Sequence, residues 1–317
     1  MSRTEFEARF PDDDACARRL AAKRWPDGFA CPDPNFAGAK FWALRSKPHT
    51  WECSGCGRQT SVTAGTVMHR SHLPLRVWFL AAHIVTSHSN GISALQLQAQ
   101  LDLGSYKTAW LMLHKLRRAM VDPDRGLLQG FVEVDETTMP FRRKSDPVAG
   151  GQGRSPIGKM LIVGAIELSD EGHPRRIRLK HIPDSSGEEL KAFASKVVEP
   201  GAIYTTDGWK GYNWIPPEQH DRKVVGTMAA HVLLPWIHRV FSNLKRWAMG
   251  VLHGLRRKHL QRYLDEFVFR WNRRRRMRAA FETILGIAVA KIPQPIGTSL
   301  RNAPDHERWK SPATPIP

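Results

Sequence analysis

The stretch Gly130–Thr138, GFVEVDETT, alternates apolar and polar residues with the period of two that marks a β-strand. It carries Asp135 inside that apolar strand, where a carboxylate is costly unless something binds it. Downstream, Met160–Leu168 (MLIVGAIEL) reads as a second, buried strand and Arg175–Ile182 (RRIRLKHI) as a third, with DEGHP turning the chain between them. The segment SGEELKAFASKVV predicts a helix with Ser186 near its start, and Gly201–Trp209 (GAIYTTDGW) a further strand. That strand ends in Asp207, at the C-terminal edge where α/β sheets hold ligands. The order β-β-β-α-β predicts a mixed α/β sheet with flanking helices. The stretch RRKSDPVAGGQGRSP after the first strand reads as a loop.

Leu234–Trp247 (LPWIHRVFSNLKRW) predicts an amphipathic helix whose apolar face carries Ile237, Val240, Phe241, Leu244, Ala248 and Val251. His238 and Lys245 are seven residues apart, nearly two turns, so both project from one face beside that core stripe. A last helix, HLQRYLDEFVFRW, places Leu260, Tyr263, Leu264, Phe267, Val268 and Trp271 on one side. From Gly286 onward the chain is Pro-rich and reads as irregular.

Upstream, Leu73–Met120 is helical in pattern. Ser93 and Gln96 stand in capping-box spacing, and Ser105 fits an N-cap. The pair ISALQLQAQ and SYKTAWLMLHKLRRAM has helix-turn-helix length, which would present Tyr106, Lys107 and Lys115 to DNA. Residues 1–65 are rich in Pro, Gly, Cys and aromatics, with helical periodicity only over Ala15–Lys23.

The chain has 317 residues, 41% of them hydrophobic, and a net charge of +18. That is enough for two domains, or for one large domain with a small attachment, and the charge points to a polyanionic partner, nucleic acid first with a membrane surface as the rival. Four cysteines in this length exclude a disulfide scaffold. The N-terminus lacks an apolar signal region and no apolar run approaches the ~20 residues of a membrane span, so a cytoplasmic protein with no membrane partner is expected.

The motifs VEVDET, YTTDGWKGY and PWIHRVFSNLKRW…HLQRYLDEFVFRWNRR, in this order, resemble bacterial insertion-sequence transposases with a ribonuclease-H-like catalytic domain. The likeness is to the group with an N-terminal zinc ribbon and a D-D-(E/N/H)-K pattern, and it runs from about residue 12 to about residue 285. It implies that Asp135 and Asp207 are the catalytic aspartates, that His238 takes the third position, and that Lys245 is the pattern's lysine. It also implies phosphodiester cleavage at transposon ends and strand transfer, with terminal inverted repeats and a target duplex as partners and a homo-oligomer assembled on DNA. Rival readings are a nuclease of the same fold and a transposase-derived DNA-binding protein that has lost catalysis.

Two aspartates and a histidine suit a two-metal site for Mg²⁺ or Mn²⁺, and the neutral nitrogen of His238 favours Mn²⁺. A zinc ribbon needs two C-x-x-C knuckles. Cys53 and Cys56 form the second; Cys31 begins the first, but Pro34 stands where its other thiolate belongs. Zn²⁺ on Cys31, Cys53 and Cys56 would need Asp33, His49 or water as a fourth ligand. Arg273, Arg274, Arg275 and Arg276, in RWNRRRRMR, are candidate phosphate contacts. The expected organisation is a zinc-ribbon-like region over 1–65, a helical DNA-binding region over 66–125, a catalytic domain over 126–285 and an irregular tail over 286–317.

Overall fold

The computed structural model describes residues 1–88, 90–140, 158–224, 230–252 and 255–290. The expected loop at 142–156 and the tail from residue 291 lie outside them.

Two short helices open the chain, α1 (Arg3–Arg9) and α2 (Asp13–Arg24), capped by Ser2 and Asp12. A three-stranded antiparallel sheet follows: β1 (Phe41–Ala43), β2 (Thr50–Cys53) and β3 (Gln59–Ser61). Three helices come next: α3 (Leu75–Ser87), α4 (Ala94–Gln100) and α5 (Tyr106–Arg118). The capping box at α4 forms in both directions, with the Gln96 amide donating to Ser93 Oγ and Gln96 Oε1 accepting from the Ser93 amide.

The larger sheet contains β4 (Phe131–Pro140), β5 (Lys159–Leu168), β6 (Pro174–Ile182), β7 (Ile203–Asp207) and β8 (His220–Lys223). Helix α6 (Gly187–Val197) connects β6 to β7. The spatial order is β6-β5-β4-β7-β8. The first three strands meander antiparallel, whereas β7 runs parallel to β4 and β8 parallel to β7. This is the ribonuclease-H-like mixed sheet. The return through α6 forces the parallel pairing, since a crossover brings the chain back in its original direction.

Alternation along β4 sorts its side chains. Val132 and Val134 join the core under α6 with Val163, Leu190 and Phe193. Met139 joins Ile162, Ile177 and Leu179 in the core on the opposite face. That face is covered by α7 (Ala230–Leu233), α8 (Pro235–Val251) and α9 (Leu260–Asn272).

A final helix, α10 (Met277–Ala290), continues past Gly286, where the sequence pattern predicted irregular chain. Its Phe281, Ile284, Leu285 and Ala288 are buried in the N-terminal core with Phe6, Phe10, Leu20, Phe79 and Leu116. Helix α1 and this last helix escape a local reading because their apolar residues are satisfied only by distant elements. Glu282 of α10 fixes the docking through Arg9, Arg19 and Lys23.

The N-terminal core and the α9 side of the larger sheet meet at a buried charge triad. Glu266 of α9, 1% exposed, lies 2.7 Å from Arg117 of α5 and 2.9 Å from Arg270. Arg270 also donates to the carbonyls of Val85 and His88 at the end of α3. Burial alone raises the Glu266 carboxyl, and the two guanidiniums more than reverse this, leaving it ionised below the usual range.

Candidate active site and zinc knuckle

Asp135 lies on β4 and Asp207 at the end of β7. These strands pair in parallel, with Glu133 beside Thr205; two residues further on, both strands reach an aspartate. Asp135 is 6% exposed and accepts the Glu136 amide at 2.8 Å. Asp207 accepts the Trp209 amide at 3.1 Å, a turn that ends the strand at its carboxylate. The buried phenol of Tyr212 senses both aspartates: burial first, then the charges of Glu136, Asp135 and Asp207, raise it well above the usual tyrosine range. Its hydroxyl donates to Glu136.

His238 comes to this place from α8. Its Nε2 stands 3.3 Å from Asp135 Oδ2. Two features hold the helix there. Glu133, on the same face of β4 as Asp135, accepts the Trp236 and Ile237 amides at 3.1 and 2.8 Å. Those are first-turn donors with no intrahelical partner, and the carboxylate also meets the positive end of the helix dipole. Burial raises the Glu133 carboxyl, and the two amide hydrogen bonds partly offset this.

The second feature is Gly164, which pairs directly with Asp135 across β4 and β5. A Cβ at that position would stand 2.7 Å from Phe241 and 3.0 Å from Ile237. Only glycine lets α8 settle this close to the sheet beside the aspartate.

The structure thus brings His238 to Asp135, and the parallel register of β4 and β7 puts Asp207 level with Asp135 at the end of the neighbouring strand. Lys245 lies on the same side of α8, half-buried, about 10 Å further along the axis at the helical rise of 1.5 Å per residue. Glu133, Glu136, Gly164 and Tyr212 were not singled out by sequence. Glu133 had a local signal, being a second carboxylate two residues from Asp135 on the same strand face. The other three depend on contacts between strands, or with the turn after β7.

The proposed DNA contacts divide. Tyr106 and Lys107 are exposed at the start of α5. Lys115 is turned inward: it donates to the His69 carbonyl at 2.9 Å, lies over the Trp78 ring at 5.6 Å, and burial lowers its pKa. Eight residues beyond Lys107 it has rotated well off that face, so it braces α5 against the chain before α3. Arg273 lies half-buried over Phe269 and Arg274 donates to the carbonyls of Pro174, Arg175 and Trp271. Arg275 and Arg276 remain exposed.

At the N-terminus, Cys31, Cys53 and Cys56 converge with all three sulfurs within 4.8 Å of one another, and Cys31 and Cys56 are 3.6 Å apart. Tetrahedral zinc with ~2.3 Å Zn–S bonds needs sulfurs ~3.8 Å apart, so the cluster fits three corners. The Cys56 and Gly55 amides donate to Cys53 and lower its pKa. Pro34 begins a short 3-10 turn capped by Asp33, whose Oδ1 accepts the Asn35 amide. His49 is engaged elsewhere, its Nε2 3.0 Å from Asp14, so it is no fourth ligand here.

Residues 127–272 match the family model described as ISXO2-like transposase domain, and residues 11–59 match the transposase zinc-ribbon domain. An uncharacterized protein in transposable element ISH50 of Halobacterium salinarum is 28% identical over 214 residues, covering 64% of this chain and 70% of that protein. Among solved structures, a simian T-cell lymphotropic virus intasome in complex with PP2A regulatory subunit B56 gamma aligns over 69% of this chain and 75% of its own, at 13% identity and a TM-score of 0.30. A pre-cleavage Mos1 transpososome aligns over 68% and 79%, at 13% identity and a TM-score of 0.28. Residues 127–272 are thus an ISXO2-like transposase domain, and residues 11–59 a transposase zinc-ribbon domain.

Proposed function

We propose that the protein cleaves and joins DNA at the ends of an insertion sequence, by metal-dependent phosphoryl transfer at Asp135, Asp207 and His238. The observation that carries this reading is the 3.3 Å approach of His238 to Asp135, beside the strand that ends in Asp207. Two carboxylates and an imidazole nitrogen fit Mn²⁺, and Mg²⁺ less well. Bound there, divalent cations supply Lewis acidity and nucleophile activation for in-line displacement. Asp135 and Asp207 provide the anionic seat. His238 must be neutral to act as a ligand. Lys245 offers its ammonium to a neighbouring phosphate.

Zinc on Cys31, Cys53 and Cys56 would stiffen the N-terminal ribbon, with water as the fourth donor. The ribbon, Tyr106, Lys107, Arg275 and Arg276 supply contacts to terminal repeats. Joining two ends to a target calls for an oligomer on DNA, in the cytoplasm at the nucleoid.

The test is strand cleavage and end joining on labelled duplexes carrying the element ends, with Mn²⁺. Asp135→Asn and Asp207→Asn are expected to abolish both steps while the fold persists. Metal-dependent cleavage surviving in either variant would refute the assignment. Cleavage without joining would favour a nuclease of the same fold.

A further inference from the structure

Arg125 in the segment between α5 and β4, Arg176 and Arg178 on β6, and Arg273 after α9 line one cavity of about 350 Å³. Arg178 is 4% exposed and donates to the carbonyls of Gly126 and Ile177. Arg176 is bound to Glu167 and to the Leu127 carbonyl. Two carboxylates attend this group, Asp122 in the cavity wall and Glu167 beside Arg176. Four guanidiniums against two carboxylates leave an uncompensated excess of positive charge in a partly desolvated space. Such an arrangement is unfavourable unless an anion completes it. The stress is visible at Arg178, which burial first, and then Arg125 and Arg176, lower to about 10.

We propose that this cavity seats a phosphate group of the DNA backbone, apart from the Asp135–Asp207 edge. Guanidinium forks match phosphate oxygens in charge and in geometry. The place is separate from the candidate active site: Arg178 pairs with Ala165, which pairs with Val134, so the cavity lies two strands from β4. It has a structural consequence. The cavity joins the segment after α5 to β6 and α9, so a phosphate held there ties the helical region to the catalytic domain. This inference rests on the DNA-binding reading above, but not on catalysis.

The experiment uses the full chain in an Asp135→Asn background, so that binding is measured without cleavage. Affinity for a random-sequence duplex is followed against salt with and without Arg125→Gln plus Arg273→Gln. Thermal stability is followed against inorganic phosphate. Arg125→Gln alone, at an exposed residue, is the second variant should the pair fold poorly. The expected results are a log–log salt slope flatter by about 0.9 in the variant, and a phosphate-induced rise in Tm that the variant loses. An unchanged slope overturns the proposal, even if phosphate protection is lost, because the cavity would then take free phosphate and not DNA. Equal phosphate protection of both proteins also overturns it, since the anion would sit elsewhere. Failure of cleavage in the unmodified chain would refute the catalytic reading and leave this comparison intact.

Discussion

Glu133 accepts the Ile237 amide at 2.8 Å, and through that bond β4 fixes the start of the helix that carries His238. Glu133→Ala removes the acceptor for two first-turn amides, one buried and one part-buried. The expected cost is about 1–3 kcal/mol of stability in denaturant unfolding, the scale of one orphaned buried donor. Glu133→Gln keeps an acceptor oxygen and should recover most of the loss. Equal stabilities for the two variants would show that the bonds contribute little.

Gly164→Val should abolish cleavage. A side chain there meets Phe241 and Ile237, so α8 must rise and carry His238 away from Asp135. Overpacking of this kind costs about 1–3 kcal/mol. Unchanged cleavage and an unchanged melting temperature would mean that α8 has more room than its contacts imply.

His238→Glu is expected to retain cleavage and to shift the preference from Mn²⁺ toward Mg²⁺, because an oxygen donor replaces a nitrogen. Rates measured in each metal decide it. A folded but inactive variant would assign the histidine another role.

Zinc content is predicted to fall in Cys56→Ser, together with the melting temperature of the N-terminal region. Two ligands cannot hold the ion as three do. Metal analysis of chelator-free protein should find about one zinc per chain in the unsubstituted form. A content far below that refutes occupancy.

Acidification should destabilise the fold. His114 is pushed down to about 2 and His259 to about 4, in both cases first by burial and then by neighbouring cations. Below the ordinary histidine pKa of about 6.5 the unfolded chain binds protons that the folded one refuses, so stability declines as pH falls. For His259 the decline runs from about 6.5 to about 4, and for His114 it continues further. Melting curves between pH 7 and pH 4.5 should show it. His114→Gln and His259→Gln together should flatten the dependence, and an unaltered slope would count against it.

Much of the fold was legible locally. The strands around Asp135 and Asp207, the helix of His238 and the capping box at Ser93 are written in periodicity and turn chemistry, which depend on near neighbours in the chain. Asp135 announced itself as a carboxylate in an apolar strand. Sequence by itself also set the net positive charge, from which a polyanionic partner is expected, and the cysteine spacing that marks a knuckle.

Only the tertiary structure decided what those parts meet. Strand pairing chose Gly164 as the neighbour of Asp135, and that absence of a side chain sets how near α8 can lie. It turned Lys115 inward and committed Arg274 to backbone carbonyls. It also enlisted α10 into the N-terminal core. Pairing and burial across long stretches of chain are governed by complementary surfaces and not by local pattern. For that reason a basic residue's side chain could be read from the sequence as a charge, but not as a contact.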